Sequence, residues 1–197
     1  MAWGRELSFG SYNTRRNLPG DLGRKRGEAN FLGGFLRAVV DQHPTPCVYG
    51  RHFAIPSCGV ADLVLCTIDT EVSPVQGAAD PVSIMAFETK LSDWRRALQQ
   101  AYRYRYYADQ AFVVLPPGRE TKAVENRDVF RQLGIGLCVY DPHHESICIL
   151  CEPGTDRPLN PQRREHALDL LRDRARNLRQ THKHLKPLLQ GRKVVGV

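Results

Sequence analysis

Val82-Ser83-Ile84-Met85-Ala86-Phe87-Glu88-Thr89-Lys90 breaks from an apolar run into charge within three residues. Upstream lies Gly59-Val60-Ala61-Asp62-Leu63-Val64-Leu65-Cys66, apolar throughout except for one carboxylate. Runs of this length that are apolar on both faces read as central strands of a covered sheet. Burying a lone carboxylate costs several kcal/mol unless a partner or a metal neutralises it. Asp62 and Glu88 therefore need an explanation. Glu88 and Lys90 are two apart on a strand and share a face. If the two strands are neighbours, Asp62 and Glu88 converge on one point, and Lys90 stands beside it. A hard divalent cation takes oxygen ligands of that kind, a few carboxylates plus water. Read alone, a Glu-x-Lys at a strand end is a surface ion pair, so the rest of the chain decides.

Working outward, Phe31, Leu32, Phe35, Leu36, Val39 and Val40 recur at helical spacing over about 27–42. Gly33 and Gly34 weaken that helix by about 1 kcal/mol each. A strand pair or irregular stretch follows over 47–55, and residues 67–81 read as a connecting loop. Ser92-Asp93 caps a helix expected to reach Asp109, with Trp94, Ala97, Leu98, Ala101 and Tyr104 or Arg105 inward. Ala111-Phe112-Val113-Val114-Leu115 is a short buried strand, and a polar helix over 121–133 leads to a strand over 135–140. Residues 146–151 return as an edge strand, and a basic helix is expected over 161–185. This order predicts an α/β sandwich, a central mixed β-sheet flanked by helices on both faces. The two strand–helix–strand units from Ile84 to Val139 are expected to be parallel, right-handed crossovers.

The chain has 197 residues, a length that suits one ordinary domain. The predicted organisation is a basic N-terminal arm over 1–23, a core over 24–155, and a basic C-terminal helix and tail over 156–197 packed on the same domain. No apolar run approaches the roughly 20 residues that span a bilayer, and the first residues lack a secretory core, so a cytoplasmic protein is expected. The net charge is +7. From Asn160 onward there are ten Lys or Arg against three Asp or Glu, an excess equal to that of the whole chain. Arg15, Arg16, Arg24, Lys25 and Arg26 form a second cluster. Such segments attract polyanions, although basic helices are often only solvated faces. Four of the six cysteines lie in or beside strand-like runs, as small buried hydrophobes do. Cys148 and Cys151 make a C-x-x-C with no second pair to complete a zinc site. His143-His144 reads as an exposed turn.

The set Ala61-Asp62-Leu63-Val64-Leu65, Ala86-Phe87-Glu88-Thr89-Lys90, an aromatic amphipathic helix and Ala111–Leu115 resembles the PD-(D/E)XK nuclease superfamily. The likeness covers about 27–140 and is strongest over 59–115. It implies a restriction-endonuclease-like three-layer fold. It further implies Asp62 and Glu88 as ligands of Mg2+ (or Mn2+), the Thr89 backbone carbonyl as a third, and Lys90 as the catalytic lysine. Gln100-Ala101-Tyr102-Arg103-Tyr104 matches a Q-x-x-x-Y element on the helix after the lysine, which places Gln100 near the site. Glu28 stands where many members carry a further acid, though it also suits a helix N-terminus. Two departures are visible. Ala61 replaces the proline, and 26 positions separate Asp62 from Glu88, so 67–81 would be an insertion.

Two functions follow from different classes. One is a Mg2+-dependent nuclease acting on DNA, or on RNA. Its phosphates would be gripped by Arg24, Lys25, Arg26, Arg103, Arg105, Arg172 and Arg176. The other is a non-catalytic subunit that keeps the nuclease fold and binds nucleic acid or protein within a larger complex. Members of the superfamily also pair as dimers, and no dimer surface is legible here.

Overall fold

A computed structural model describes residues 4–9, 22–68, 81–154, 157–178 and 183–190, with backbone only at 22–26 and 190. Seven strands form one sheet: β1 (Gly4–Glu6), β2 (Cys47–Ile55), β3 (Gly59–Ile68), β4 (Val82–Thr89), β5 (Gln110–Leu115), β6 (Ile135–Asp141) and β7 (Ser146–Cys151). Their spatial order is their chain order. β2, β3 and β4 pair antiparallel, and β4, β5 and β6 pair parallel. β1 adds parallel at one edge and β7 antiparallel at the other, so the sheet is mixed. The inner strands are buried on both faces, which is why their sequences run apolar without alternation.

Helix α1 (Leu22–Gln42) covers one face. Phe31, Leu32, Phe35 and Ala38 pack there on Leu63, Leu65, Phe87, Phe112 and Tyr140. Phe87 stacks on Phe112 with ring centres 5.1 Å apart, and Phe35 meets Phe87 edge-on at 5.3 Å. Gly34 has its reason in this contact: a Cβ at that position would lie 2.6 Å from the Tyr140 hydroxyl. Gly33 has nothing within 4 Å and carries only the entropic cost.

The opposite face holds α2 (Trp94–Tyr104), α3 (Thr121–Glu125), α4 (Arg127–Leu133), α5 (Pro161–Arg176) and α6 (Lys186–Gln190). Trp94, Ala97, Leu98, Ala101 and Tyr104 of α2, Phe130 of α4, and Ala167, Leu168 and Leu171 of α5 bury the other side of β3, β4 and β5. The architecture is thus helix, sheet, helix, as the element order predicts. Among the described residues no helix is long and apolar enough to cross a membrane.

Several boundaries differ from the sequence reading. Gly4–Glu6, within the expected arm, is a strand, and α1 begins at Leu22 rather than near Gly27. α2 stops at Tyr104, not Asp109, because the chain turns there to bring the Asp109 carboxylate onto the Ile84 N–H (2.7 Å). The polar helix divides at Asn126 into α3 and α4. The last long helix ends at Arg176 instead of Leu185; a 3-10 turn (Lys183–Leu185) and α6 follow. Arg15, Arg16 and most of the expected insertion lie outside the described residues.

None of the six cysteines forms a disulfide. Burial pushes the Cys138 thiol up to about 12 and that of Cys47 up to about 11, so both stay protonated and act as packing. Cys148 is exposed whereas Cys151 is buried, because residues three apart on a strand face opposite ways. That separates the C-x-x-C thiols.

α5 is tied to the sheet by Arg164. Its guanidinium donates to Asp109 Oδ1 (2.9 Å) and to the Val82 carbonyl (2.7 Å), while Asp109 also holds Ile84. Removing one partner of such a pair leaves the other charge sparsely solvated. Asp109→Ala is expected to lower unfolding free energy by about 3 kcal/mol in urea titrations; a loss below about 1 kcal/mol would show that this clamp is incidental.

Candidate active site

The site begins where two strands part. β3 and β4 pair from Ile68·Val82 to Leu63·Phe87, and there the ladder ends. β3 continues to Gly59 on β2, while β4 continues to Thr89 on β5 and the Lys90 N–H reaches the Val114 carbonyl (3.1 Å). Each strand keeps its outer neighbour and parts from its inner one. Asp62 is the first residue of β3 past the split. Its Oδ2 accepts from the Thr89 N–H (2.9 Å) and from the Thr89 hydroxyl (2.8 Å), in place of a backbone partner across the gap.

Glu88 lies at the bottom of this gap, with only 1% of its side chain exposed. Oε1 accepts from the Lys90 ammonium at 2.6 Å, and Oε2 accepts from the Tyr104 hydroxyl at 2.5 Å. Lys90 Nζ also donates to the Thr89 carbonyl (3.1 Å) and stands 4.0 Å from Asp62 Oδ2. Lys90 and Asp62 are 17% and 24% exposed, so the gap opens to solvent through them. Tyr104 is placed by the amphipathic stripe of α2, and its hydroxyl lies 2.7 Å from the Val60 carbonyl as well. With Glu88 ionised the hydroxyl turns to the carboxylate. With Glu88 protonated, the phenol oxygen accepts from the carboxyl and donates to Val60, so both states are satisfied.

Two carboxylates face one ammonium. Burial, and then the Asp62 charge, push Glu88 up to about 7 against the pull of Lys90 and Tyr104. For Lys90, burial favours the neutral amine, but the Glu88 and Asp62 carboxylates outweigh it and hold the group above its ordinary range. Tyr104 is raised by burial and by the adjoining Glu88 charge, so it remains a phenol.

Of the expected site residues, Asp62, Glu88, Thr89 and Lys90 are brought together. Glu28 acts on Lys90 through its charge, because the start of α1 passes beside Leu91. Among the described residues no hydrogen bond or ion pair joins Glu28 to the lysine. Gln100 lies one turn before Tyr104 on the same side of α2, and its Oε1 is buried without a hydrogen-bond partner. The resemblance implies only a carbonyl role for Thr89, and the sequence leaves Tyr104 between site and core. It misses the Thr89 hydroxyl and the Tyr104–Glu88 contact. Only a residue's position opposite a parted strand reveals the first, and α2 packing the second.

The arginines expected to contact phosphate lie in different surroundings. Arg105 is buried, its guanidinium packed 3.2 Å from where a Cβ of Gly134 would sit, so it does not face a polymer. Arg172 is spent on Asp169 (2.9 Å) and on the Leu188 carbonyl (3.0 Å), which fastens α6 to α5. Arg176 is exposed but paired with Asp173 (2.8 Å). Arg103 is exposed. The side chains of Arg24, Lys25 and Arg26 lie outside the described residues.

The donor set suits a hard divalent cation. Carboxylate oxygens of Glu88 and Asp62 and the Thr89 carbonyl surround one point, which Lys90 Nζ, itself a cation, occupies. One ammonium leaves the two carboxylates only half balanced, and a second positive centre would complete the neutralisation. Among the described residues no cluster of three or more His, Cys, Asp or Glu side chains forms a metal cage, so water would fill the remaining positions. Comparison with protein-family models, with curated proteins and with solved structures gives no match for this chain.

A cation that binds ionised Glu88 must displace its proton below about pH 7. Mn2+ affinity measured by calorimetry is therefore expected to rise by up to about tenfold per pH unit as pH climbs to about 7, then to level off. Tyr104→Phe removes a hydrogen bond that favours the carboxylate and should move that midpoint upward. A flat profile from pH 5.5 to 8.5 would remove Glu88 from the ligand set.

Proposed function

We propose that this chain is a metal-dependent nuclease of the PD-(D/E)XK type, hydrolysing phosphodiester bonds of DNA, or of RNA, with Mg2+ as its natural cofactor. One observation carries the reading: oxygens of Asp62 and Glu88 and the Thr89 carbonyl surround the Lys90 ammonium where β3 and β4 separate. The helix–sheet–helix layering and the parallel β4–α2–β5 unit support it, since they are what a restriction-endonuclease-like fold requires.

Asp62 and Glu88, with the Thr89 carbonyl, would hold the metal. When bound, the ion supplies Lewis acidity and lowers the pKa of attached water. The protein's own part is electrostatic and positional. Lys90 brings a fixed positive charge to the mouth of the gap, where negative charge gathers on a scissile phosphate during attack. Thr89 clamps Asp62 through two hydrogen bonds and so sets one ligand's orientation. Tyr104 does the same for Glu88 from the opposite layer.

Plasmid and single-stranded DNA incubated with Mg2+, with Mn2+ or with EDTA give the test. Cleavage is expected only with metal, and Lys90→Ala should slow it by at least about 10²-fold. Asp62→Ala should abolish it with the circular dichroism spectrum unchanged. Metal-independent cutting, or a Lys90→Ala variant as active as wild type, would overturn the reading.

A further inference from the structure

The outward face of α2 has no place in the chemistry above. Residues 94–104 contain no Asp or Glu. Arg95, Gln99, Tyr102 and Tyr106 follow one another at spacings of four, three and four, and Arg96 and Arg103 flank them; all six are exposed. Tyr102 and Tyr106 are 37% and 40% exposed, with ring centres 6.5 Å apart and planes perpendicular. Single exposed aromatics are ordinary. An aromatic pair in a stripe of three cations with no carboxylate is a narrower pattern. No salt bridge among the described residues engages Arg95, Arg96 or Arg103, although the Arg95 guanidinium lies 4.5 Å over the Trp94 ring. On α5, by contrast, Arg164, Arg172 and Arg176 are paired with carboxylates and Arg163 reaches the Pro56 carbonyl, which leaves Arg174 as its exposed arginine with no salt bridge among the described residues.

We propose that this stripe is a binding platform for single-stranded nucleic acid, with bases stacked on Tyr102 and Tyr106 and phosphates held by Arg96 and Arg103. Charge complementarity selects a polyanion. The ring faces select unpaired bases, because the faces of a duplex are stacked on one another and out of reach. A protein partner would favour fewer charges at the centre of such a patch. The platform is rigid: the Leu159 N–H reaches the Arg105 carbonyl (2.8 Å) and the Asn160 N–H reaches the Tyr106 carbonyl (3.2 Å), which pins the turn beyond α2. Tyr104, on the other side of the same helix, touches Glu88. A strand on the platform therefore lies about one helix diameter, roughly 10 Å, from the candidate active site. The identity of the polymer rests on the nuclease reading above; the binding itself does not depend on cleavage.

Fluorescence anisotropy in EDTA tests it, with labelled oligo-dT, an abasic strand of the same length and a duplex as probes. Tyr102→Ala and Tyr106→Ala should each weaken oligo-dT binding on the order of tenfold and leave the abasic strand unaffected. The Tyr102→Phe/Tyr106→Phe variant should bind as wild type, since it keeps both ring faces. Arg96→Gln/Arg103→Gln should flatten the salt dependence by about 0.7 for each phosphate no longer neutralised. Wild type that binds no oligo-dT, or alanine variants that bind it unchanged or weaken on abasic and oligo-dT strands equally, would overturn the proposal. Tyrosine-dependent binding by a protein that cuts nothing in Mg2+ would sink the nuclease reading and leave the platform. Lys90-dependent cleavage with alanine variants of unchanged affinity would do the reverse.

Discussion

Everything at the candidate site depends on the separation of β3 from β4 after Leu63·Phe87. Two neighbouring strands that part inside a sheet leave backbone donors and acceptors without partners, and such groups are rarely abandoned in a protein interior. Asp62 resolves this on one side by accepting the Thr89 N–H and hydroxyl together. The same carboxylate then lies beside Lys90. A local repair of the sheet and the placement of a reactive group are thus one feature. The rest of the architecture holds the split in place. β2 keeps β3 on one side, β5 keeps β4 on the other, and α2 closes the gap from above through Tyr104.

The charges follow the same logic. A buried carboxylate is tolerable when it is hydrogen-bonded and faced by a cation, and Glu88 has both. Burial still outweighs that help, and with the neighbouring Asp62 charge it raises the Glu88 pKa towards neutrality. Farther out, positive charge is divided between two uses. On α5 much of it is engaged within the protein: Arg164 is locked to Asp109 beside the sheet, Arg172 holds α6 through the Leu188 carbonyl, and Arg172 and Arg176 pair with Asp169 and Asp173 of their own helix. On α2 it is open to solvent beside exposed aromatic rings. A count of charges along the chain singles out the C-terminal helix, but the count does not show which of those charges already face a carboxylate.

Long elements with strong periodicity are legible from the residues. β3, β4 and β5 read as buried strands because apolar residues dominate them; Thr67, Ser83 and Gln110 lie at or next to strand ends, and the other polar positions lie at the site. The inward stripe of α2 reads directly from Trp94, Ala97, Leu98, Ala101 and Tyr104. Boundaries set by distant contacts are not legible. α2 ends early because Asp109 is needed by Ile84 and by Arg164, a residue 55 positions away in the chain. Gly34 looks like a flaw in a helix until Tyr140 is placed against it. Arg105 and Arg172 look like surface cations for the same reason, since local sequence carries no sign of which partner covers a long side chain.

By itself, then, the amino-acid sequence determined the layered α/β class and the three polar positions, Asp62, Glu88 and Lys90, that apolar strands do not otherwise tolerate. The periodicity of burial and the cost of desolvating charge are local properties, and both are written residue by residue. Tertiary structure alone decided that those three side chains meet, that Thr89 and Tyr104 orient two of them, and that Arg164 and Arg172 of α5 are drawn into contacts with neighbouring segments while Arg96 and Arg103 of α2 stay open to solvent. Each of those facts is a distance between segments remote in sequence. Such distances arise only when the sheet register and helix packing are settled together.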